Sequence, residues 1–378
     1  MLNHFVCIIL LPLILWTDQS QSSSKITVPS QDVPPSKAVW TRKLLSCYLD
    51  SHKHLGTEGI EAISDKEIVV YCLKRNTHYL PHLSSRINPD ETGQYQLAAF
   101  FFDRVNGNPT GTVSWSVKTY SKRPYILPVD DKTLLLADGS AVQLIDRSTL
   151  LILKRLLLAD PGDKCAPWEM VVSVDRSTFA TSKFCYFGTG SATEIKSYRL
   201  SDFSEITTSS SPGRNSYDLL GEDMLRTSFG GHGIFLYTNN MQNKLLADPV
   251  TVLGANFLDR QLILCCRADE RLSVFNRDGK MLTYRDLYPG WDGFHSQNQA
   301  TQVFVAPHSE RFAALVSRTP ENFGHTHLEC DVFDHSLKTV MSTPVAMFHN
   351  DVSAAISPDG QYVFVLVDEN VSAYAIPQ

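Results

Sequence analysis

Most short patterns that mark catalytic or cofactor sites are missing from this chain of 378 residues. It has no Gly-x-Ser-x-Gly elbow, no His-Glu-x-x-His pair, no kinase signature, and neither a Walker loop nor a dinucleotide fingerprint. No cofactor is therefore expected. Cys-x-x-Cys is also absent, so a zinc site built on cysteines has no support. Charge forms no acidic or basic block, and 34 Lys and Arg against 40 Asp and Glu leave a net charge of -6. Phosphate binding needs a basic surface, so nucleic acid is not expected as a partner. The apolar run Phe5 to Trp16 is too short for a membrane span and suits the core of a signal peptide.

That N-terminal reading has features on both sides. Met1-Leu2-Asn3-His4 carries no Lys or Arg, and no Ala-x-Ala follows, but Ser20-Gln21-Ser22 offers a small-x-small cleavage site. Residues 1–22 are assigned as a signal peptide, residues 23–37 as a polar linker and residues 38–378 as the folded domain. The linker sets Pro29, Pro34 and Pro35 among Ser, Gln and Asp, a composition that cannot build a core. The mature chain is expected to be secreted or periplasmic, with no membrane span.

Export makes disulfides possible. Without Cys7 the cysteines are Cys47, Cys72, Cys165, Cys185, Cys265, Cys266 and Cys330, an odd number, so at least one thiol stays unpaired within the chain. Cys165 with Cys185, and after them Cys47 with Cys72, are the expected pairs. Cys265 and Cys266 fall in an apolar strand pattern, which favours two buried thiols over a vicinal redox pair.

What the chain does have is a recurring cassette: a turn rich in Asp, Arg and Ser, a strand, a gap, a second strand and another tight turn. Ile356-Ser357-Pro358-Asp359-Gly360, then Gln361 to Val367 and Val371 to Ile376, is its sharpest copy. Phe257 to Arg267, followed by Arg271 to Phe275 and the turn Asn276-Arg277-Asp278-Gly279, is a second. Repetition of roughly 40 to 50 residues is the signature of a β-propeller. Seven units can be laid out between Thr57 and Ile376, with no convincing long amphipathic helix. The expected fold is all-β: seven blades of four antiparallel strands. The last unit lacks a fourth strand before Gln378, and Val39 to Leu45 is predicted to supply it, closing the ring between the two termini.

The segment Ile356 to Val365 resembles the SPDG strand-turn-strand motif of WD-repeat-like, YVTN-type and TolB-type propellers. Pro358 and Gly360 suit a tight turn, and Asp359 can accept backbone N–H groups there. The resemblance implies the fold and carries no catalytic residue. Sugar lactonases of this kind place Gly-Pro-Arg-His ahead of the motif, where this chain has Met347-Phe348-His349-Asn350-Asp351.

Propeller geometry sorts the connections onto two faces. The A–B and C–D turns are predicted to be short, Asp103 to Gly111 excepted. Longer connections fall on the other face: Lys74 to Gly93, Asp160 to Trp168, Gly188 to Ala192, Tyr288 to Asn298 and Thr319 to His327. Binding usually resides on such loops. Trp168, Tyr288, Trp291, Asp292 and His295 place aromatics beside carboxylates, which suits stacking on a sugar or peptide; the same tryptophans could instead lid the blade ends. His325 and His327, with Glu329 or His295, form a candidate metal set, against which stands the ordinary solvated loop histidine.

Three functions are compatible with this pattern. The first is a non-catalytic binding or scaffold module for a protein or carbohydrate partner on the long-loop face. The second is a propeller hydrolase or lyase acting on a lactone or carbohydrate. The third is a metal- or quinone-dependent propeller oxidoreductase. The sequence sets no oligomeric state.

Overall fold

The computed structural model describes residues 36–44, 59–62, 64–75, 95–117, 125–137, 141–158, 169–187, 190–213, 215–228, 233–238, 241–246, 252–267, 271–287, 300–318, 327–347, 352–368 and 370–378. These residues form seven four-stranded antiparallel sheets arranged as a β-propeller. The first strand in the chain is β1 (Trp40–Lys43). Blade 1 then holds β2 (Gly59–Ala62), β3 (Glu67–Arg75), β4 (Tyr95–Asp103) and β5 (Pro109–Val117). Blade 2 holds β6 (Tyr125–Pro128), β7 (Thr133–Ala137), β8 (Ala141–Asp146) and β9 (Ile152–Leu157). Blade 3 holds β10 (Glu169–Val172), β11 (Thr178–Phe187), β12 (Gly190–Arg199) and β13 (Glu205–Pro212). Blade 4 holds β14 (Asn215–Leu220), β15 (Asp223–Ser228), β16 (Gly233–Thr238) and β17 (Met241–Leu246). Blade 5 holds β18 (Val252–Phe257), β19 (Leu262–Arg267), β20 (Arg271–Asn276) and β21 (Met281–Asp286). Blade 6 holds β22 (Ala300–Val305), β23 (Arg311–Arg318), β24 (His327–Asp334) and β25 (Thr339–Met347). Blade 7 holds β26 (Val352–Ile356), β27 (Tyr362–Val367) and β28 (Asn370–Ala375), and β1 completes it.

The predicted closure is present. Trp40 pairs with Ala373 and Lys43 with Asn370, in antiparallel register. Asp103 to Gly111, expected to be a long turn, is not one: β4 runs to Asp103 and β5 begins at Pro109, with Asp103 accepting the N–H of Val105 and Asn106. The Gly188 to Ala192 connection is shorter than expected too, because β11 reaches Phe187 and β12 starts at Gly190. The small, polar residues there continue the strands instead of leaving them.

Alternation along the middle strands makes the core. On β3, Ile68 and Val70 face blade 7 while Val69 and Tyr71 face blade 2, and all four are buried. The same division at every blade gives seven apolar clusters, one per seam. The seam between blades 3 and 4 is the thinnest: its buried apolar members are Ala180, Ile195, Leu219 and Met224. Blade 3 buries Thr178, Thr181, Thr193 and Ser197 where other blades bury aliphatics.

Cys72 and Cys185 are each disulfide-bonded; their expected partners, Cys47 and Cys165, lie outside the described residues. Cys265, Cys266 and Cys330 are buried thiols. Burial pushes the Cys266 thiol up to about 12, so it packs as a small hydrophobe and is no nucleophile at neutral pH. Among the described residues no helix is long and apolar enough to cross a membrane.

Candidate functional site

The two faces differ in how their connections are built. The described A–B and C–D turns are short, and several are locked by carboxylates. Asp130 accepts the N–H of Lys132 and Thr133, both at 2.7 Å. Asp259 accepts those of Gln261 and Leu262 at 2.6 and 2.8 Å, and Asp146 those of Ser148 and Thr149 at 3.0 and 2.8 Å. Hydrogen bonds, the Thr149 N–H foremost, draw the Asp146 carboxyl down to about 2. These are Asx turns, which explains why the cassette puts Asp two residues before Ser or Gln.

The residue after the C–D Asp or Asn staples the blades together. Arg104 reaches Asp359 of blade 7 at 2.6 Å, and Arg147 reaches Glu67 of blade 1 at 2.6 Å. Arg277 pairs with Asp223 of blade 4, and His335 lies 3.4 Å from Asp259 of blade 5. Each basic group thus grips the preceding blade. Burial works to raise the Glu67 carboxyl, but bonds from Arg147 and Thr110 and the Arg147 charge outweigh it and hold it below its ordinary value. Asp359 is likewise held low, with Ser357, Arg104 and the Gln361 N–H outweighing its burial.

This face surrounds the mouth of the central channel, where a cavity of about 300 Å³ opens. Every inner strand contributes to its wall, from Glu61 on β2 round to Ala355 on β26. Asp218 on β14 lines it, with Oδ2 accepting the Phe257 N–H of the next blade at 2.6 Å. Burial pushes the Asp218 carboxyl up to about 7, even though the N–H groups of Phe257 and Leu219 and the Asn256 side chain favour its charged form. It is a carboxyl that changes charge near neutral pH.

Arg176 sits at the rim. Its turn matches the one in blade 7: Ser173 Oγ accepts the N–H of Ser177 and Thr178 as Ser357 Oγ accepts those of Gln361 and Tyr362. Gly360 holds the left-handed position at φ 66°, and Arg176 holds it in blade 3 at φ 55°. A side chain there costs about 1–2 kcal/mol. Arg176 Nη2 donates to the Ala62 carbonyl at 2.7 Å, spanning from blade 3 to blade 1. The arginine therefore reaches across part of the channel mouth, from blade 3 to blade 1.

Trp168, Tyr288, Trp291, Asp292, His295 and His325 fall outside the described residues. His327 opens β24, opposite Arg318 and Met347. Glu329, two residues on, is half-buried and accepts a long bond from Ser342 Oγ at 3.4 Å. Among the described residues no three His, Cys, Asp or Glu side chains group as a metal set. Sequence reasoning missed the channel mouth. Arg176 was detectable as the non-glycine at a turn position homologous to Gly360; Asp218 carried no local signal.

Fold and turns together define a seven-bladed β-propeller, the fold its SPDG segment implies. Among solved structures, Raptor from Chaetomium thermophilum is 10% identical with a TM-score of 0.55, covering 85% of this chain and 28% of that one. The C-terminal WD40 domain of Sif2 is 10% identical with a TM-score of 0.46, covering 91% of this chain and 99% of that domain. No protein-family model matches the sequence, and no curated protein matches it. The likeness to the Raptor structure shows a shared fold and leaves the role open.

Proposed function

We propose that the chain is an exported, non-catalytic binding or scaffold propeller whose long-connection face takes a protein or carbohydrate partner. The observation that carries this reading is the asymmetry of the connections. On one face the described turns are short, and several are Asx-locked and stapled between blades. On the other, residues 76–94 join β3 to β4, residues 159–168 follow β9, and residues 288–299 precede β22. A rigid scaffold carrying variable loops on one side is the usual plan of a binding module. The disulfide-bonded Cys72 and Cys185 support export, because such bonds persist in oxidising compartments.

The test uses the full chain produced in a secretory host. The product is expected in the medium, beginning near Ser23. It is then screened on glycan and extracellular-protein arrays beside a Trp168→Ala/Trp291→Ala variant. Partner binding should fall at least ten-fold in the variant with its melting temperature unchanged. Stoichiometric metal that disappears on His325→Ala/His327→Ala would instead support the metal-dependent reading and overturn this one.

A further inference from the structure

The rim of blade 2 differs from the other described outer edges. Among the described residues, eight large apolar side chains are exposed, and five of them sit on β9 and the turn that leads into it: Leu150, Leu151, Ile152, Leu153 and Leu157. Leu151, Leu153 and Leu157 are 64%, 51% and 70% exposed. Leu156 turns inward and joins the blade 2–3 cluster, while Lys154 donates to the Ser201 carbonyl of blade 3. Leu153, Arg155 and Leu157 alternate with them and face out.

Among the described residues β9 pairs only with β8, so alternate N–H and C=O groups along its outer side meet no described strand. Outer strands are normally blunted against such pairing, and several in this ring are. β1 is four residues long, β25 carries Pro344, and β13 is nearly all Ser, Thr and Glu. β9 is longer than β1, has no Pro and is mostly apolar, so of the usual devices it has charge alone. Its only charges are Lys154 and Arg155, both positive, in a chain whose net charge is -6.

We propose that β9 is a docking edge for an extended peptide segment with two adjacent acidic residues between apolar ones, added as a fifth strand to blade 2. Main-chain bonds would hold the segment, leucines would take its apolar side chains, and the two cations would select its acids. A second copy of this chain fits poorly. Two-fold antiparallel pairing of β9 with itself in full overlap would set Lys154 opposite Arg155 of the other copy, and like charges directly opposite destabilise a strand pair. This edge lies on the rim and stands independently of the long-connection face.

The probe is a displayed library of random dodecapeptides, selected on the full-length protein and on a Leu153→Glu/Leu157→Glu variant. Both leucines are exposed, so the variant should fold, which its melting temperature checks. Selection on the native protein should enrich proline-free peptides with two adjacent acidic residues flanked by apolar ones. These should bind the variant at least ten-fold more weakly and slow amide exchange across residues 152–157. Peptides that bind both proteins equally, that are basic, or that protect some other strand would overturn the assignment. Self-association of the native protein that the variant abolishes would overturn it as well, in favour of a second copy.

Discussion

Three C–D turns place a bulky residue in the left-handed region: Leu150 at φ 58°, Phe203 at φ 62° and Leu337 at φ 65°. Gly107 and Gly279 fill the same place in blades 1 and 5. The backbone cost is similar at each, but the return differs. Leu337 is 2% exposed and packs in the blade 5–6 cluster, whereas Leu150 is 41% exposed. Leu150→Gly should therefore raise stability by about 0.5–1 kcal/mol, while Leu337→Gly should lower it by about 2–4 kcal/mol. Urea denaturation of the two variants reads the difference; equal signs would show that the turn, and not burial, sets both. Asp218 supplies a pH-dependent test. Its folded value of about 7 lies above the ordinary 3.8, so between those values the folded chain holds a proton that the unfolded chain releases. Its contribution to stability is whole below about pH 4, declines as pH rises towards 7 and is level above that. Asp218→Asn should therefore gain on the native protein by about 1 kcal/mol or more between pH 5 and pH 8, measured by urea melts at each pH. A gap that does not change with pH would show that the carboxyl is ordinary.

At the scale of strands and blades, the polar seams are the informative ones. Arg147 and Glu67 are each 19% exposed, and Thr110 Oγ1 adds a bond to Glu67 Oε1 at 2.6 Å. A double-mutant cycle on Arg147→Met and Glu67→Gln should return a coupling of about 1–2 kcal/mol, read from chemical denaturation. Between blades 3 and 4, Thr178 Oγ1 donates to the Gly221 carbonyl, and Arg199 pairs with Glu222 at 2.7 Å at the surface. Those bonds only partly replace apolar area, so native-state amide exchange should open β10–β15 before β26–β28. Much of this was legible beforehand. The Asp-Arg-Ser turns at Asp146 and Asp175 announce themselves because a carboxylate two residues before a backbone donor is a local feature. The target of each arginine was not legible, since Glu67 lies eighty residues from Arg147 and only closure of the ring brings them together. The same holds for Asp218, whose neighbour Phe257 comes from the next blade.

For the whole molecule, the decisive element is the strand contributed by the N-terminal side. β1 is short, yet it ties the ring in three ways. Its backbone continues the last sheet, with the Val39 N–H on the Ala373 carbonyl at 2.7 Å. Trp40, 8% exposed, packs beside Phe364 and donates from Nε1 to the Arg104 carbonyl at 3.0 Å. Arg42 donates to the Gly107 carbonyl at 2.9 Å, and Gly107 must be glycine because a Cβ would meet the Trp40 ring at 2.6 Å. Blades 7 and 1 are thus latched by residues from both ends of the chain. Losing the Trp40 side chain alone removes about 3–5 kcal/mol, against a total stability of about 5–15 kcal/mol for a typical fold. Deleting residues 38–46 also bares β28 as an open edge. The deletion should lower the melting temperature by about 10 °C or more, or abolish the cooperative transition. A synthetic peptide of residues 36–46 should restore much of that loss when added in excess, because the groove it left is a ready acceptor for a strand. If the deletion melts like the native protein, β1 decorates a ring that already closes without it. If the peptide fails to rescue, the latch works only when formed within one chain.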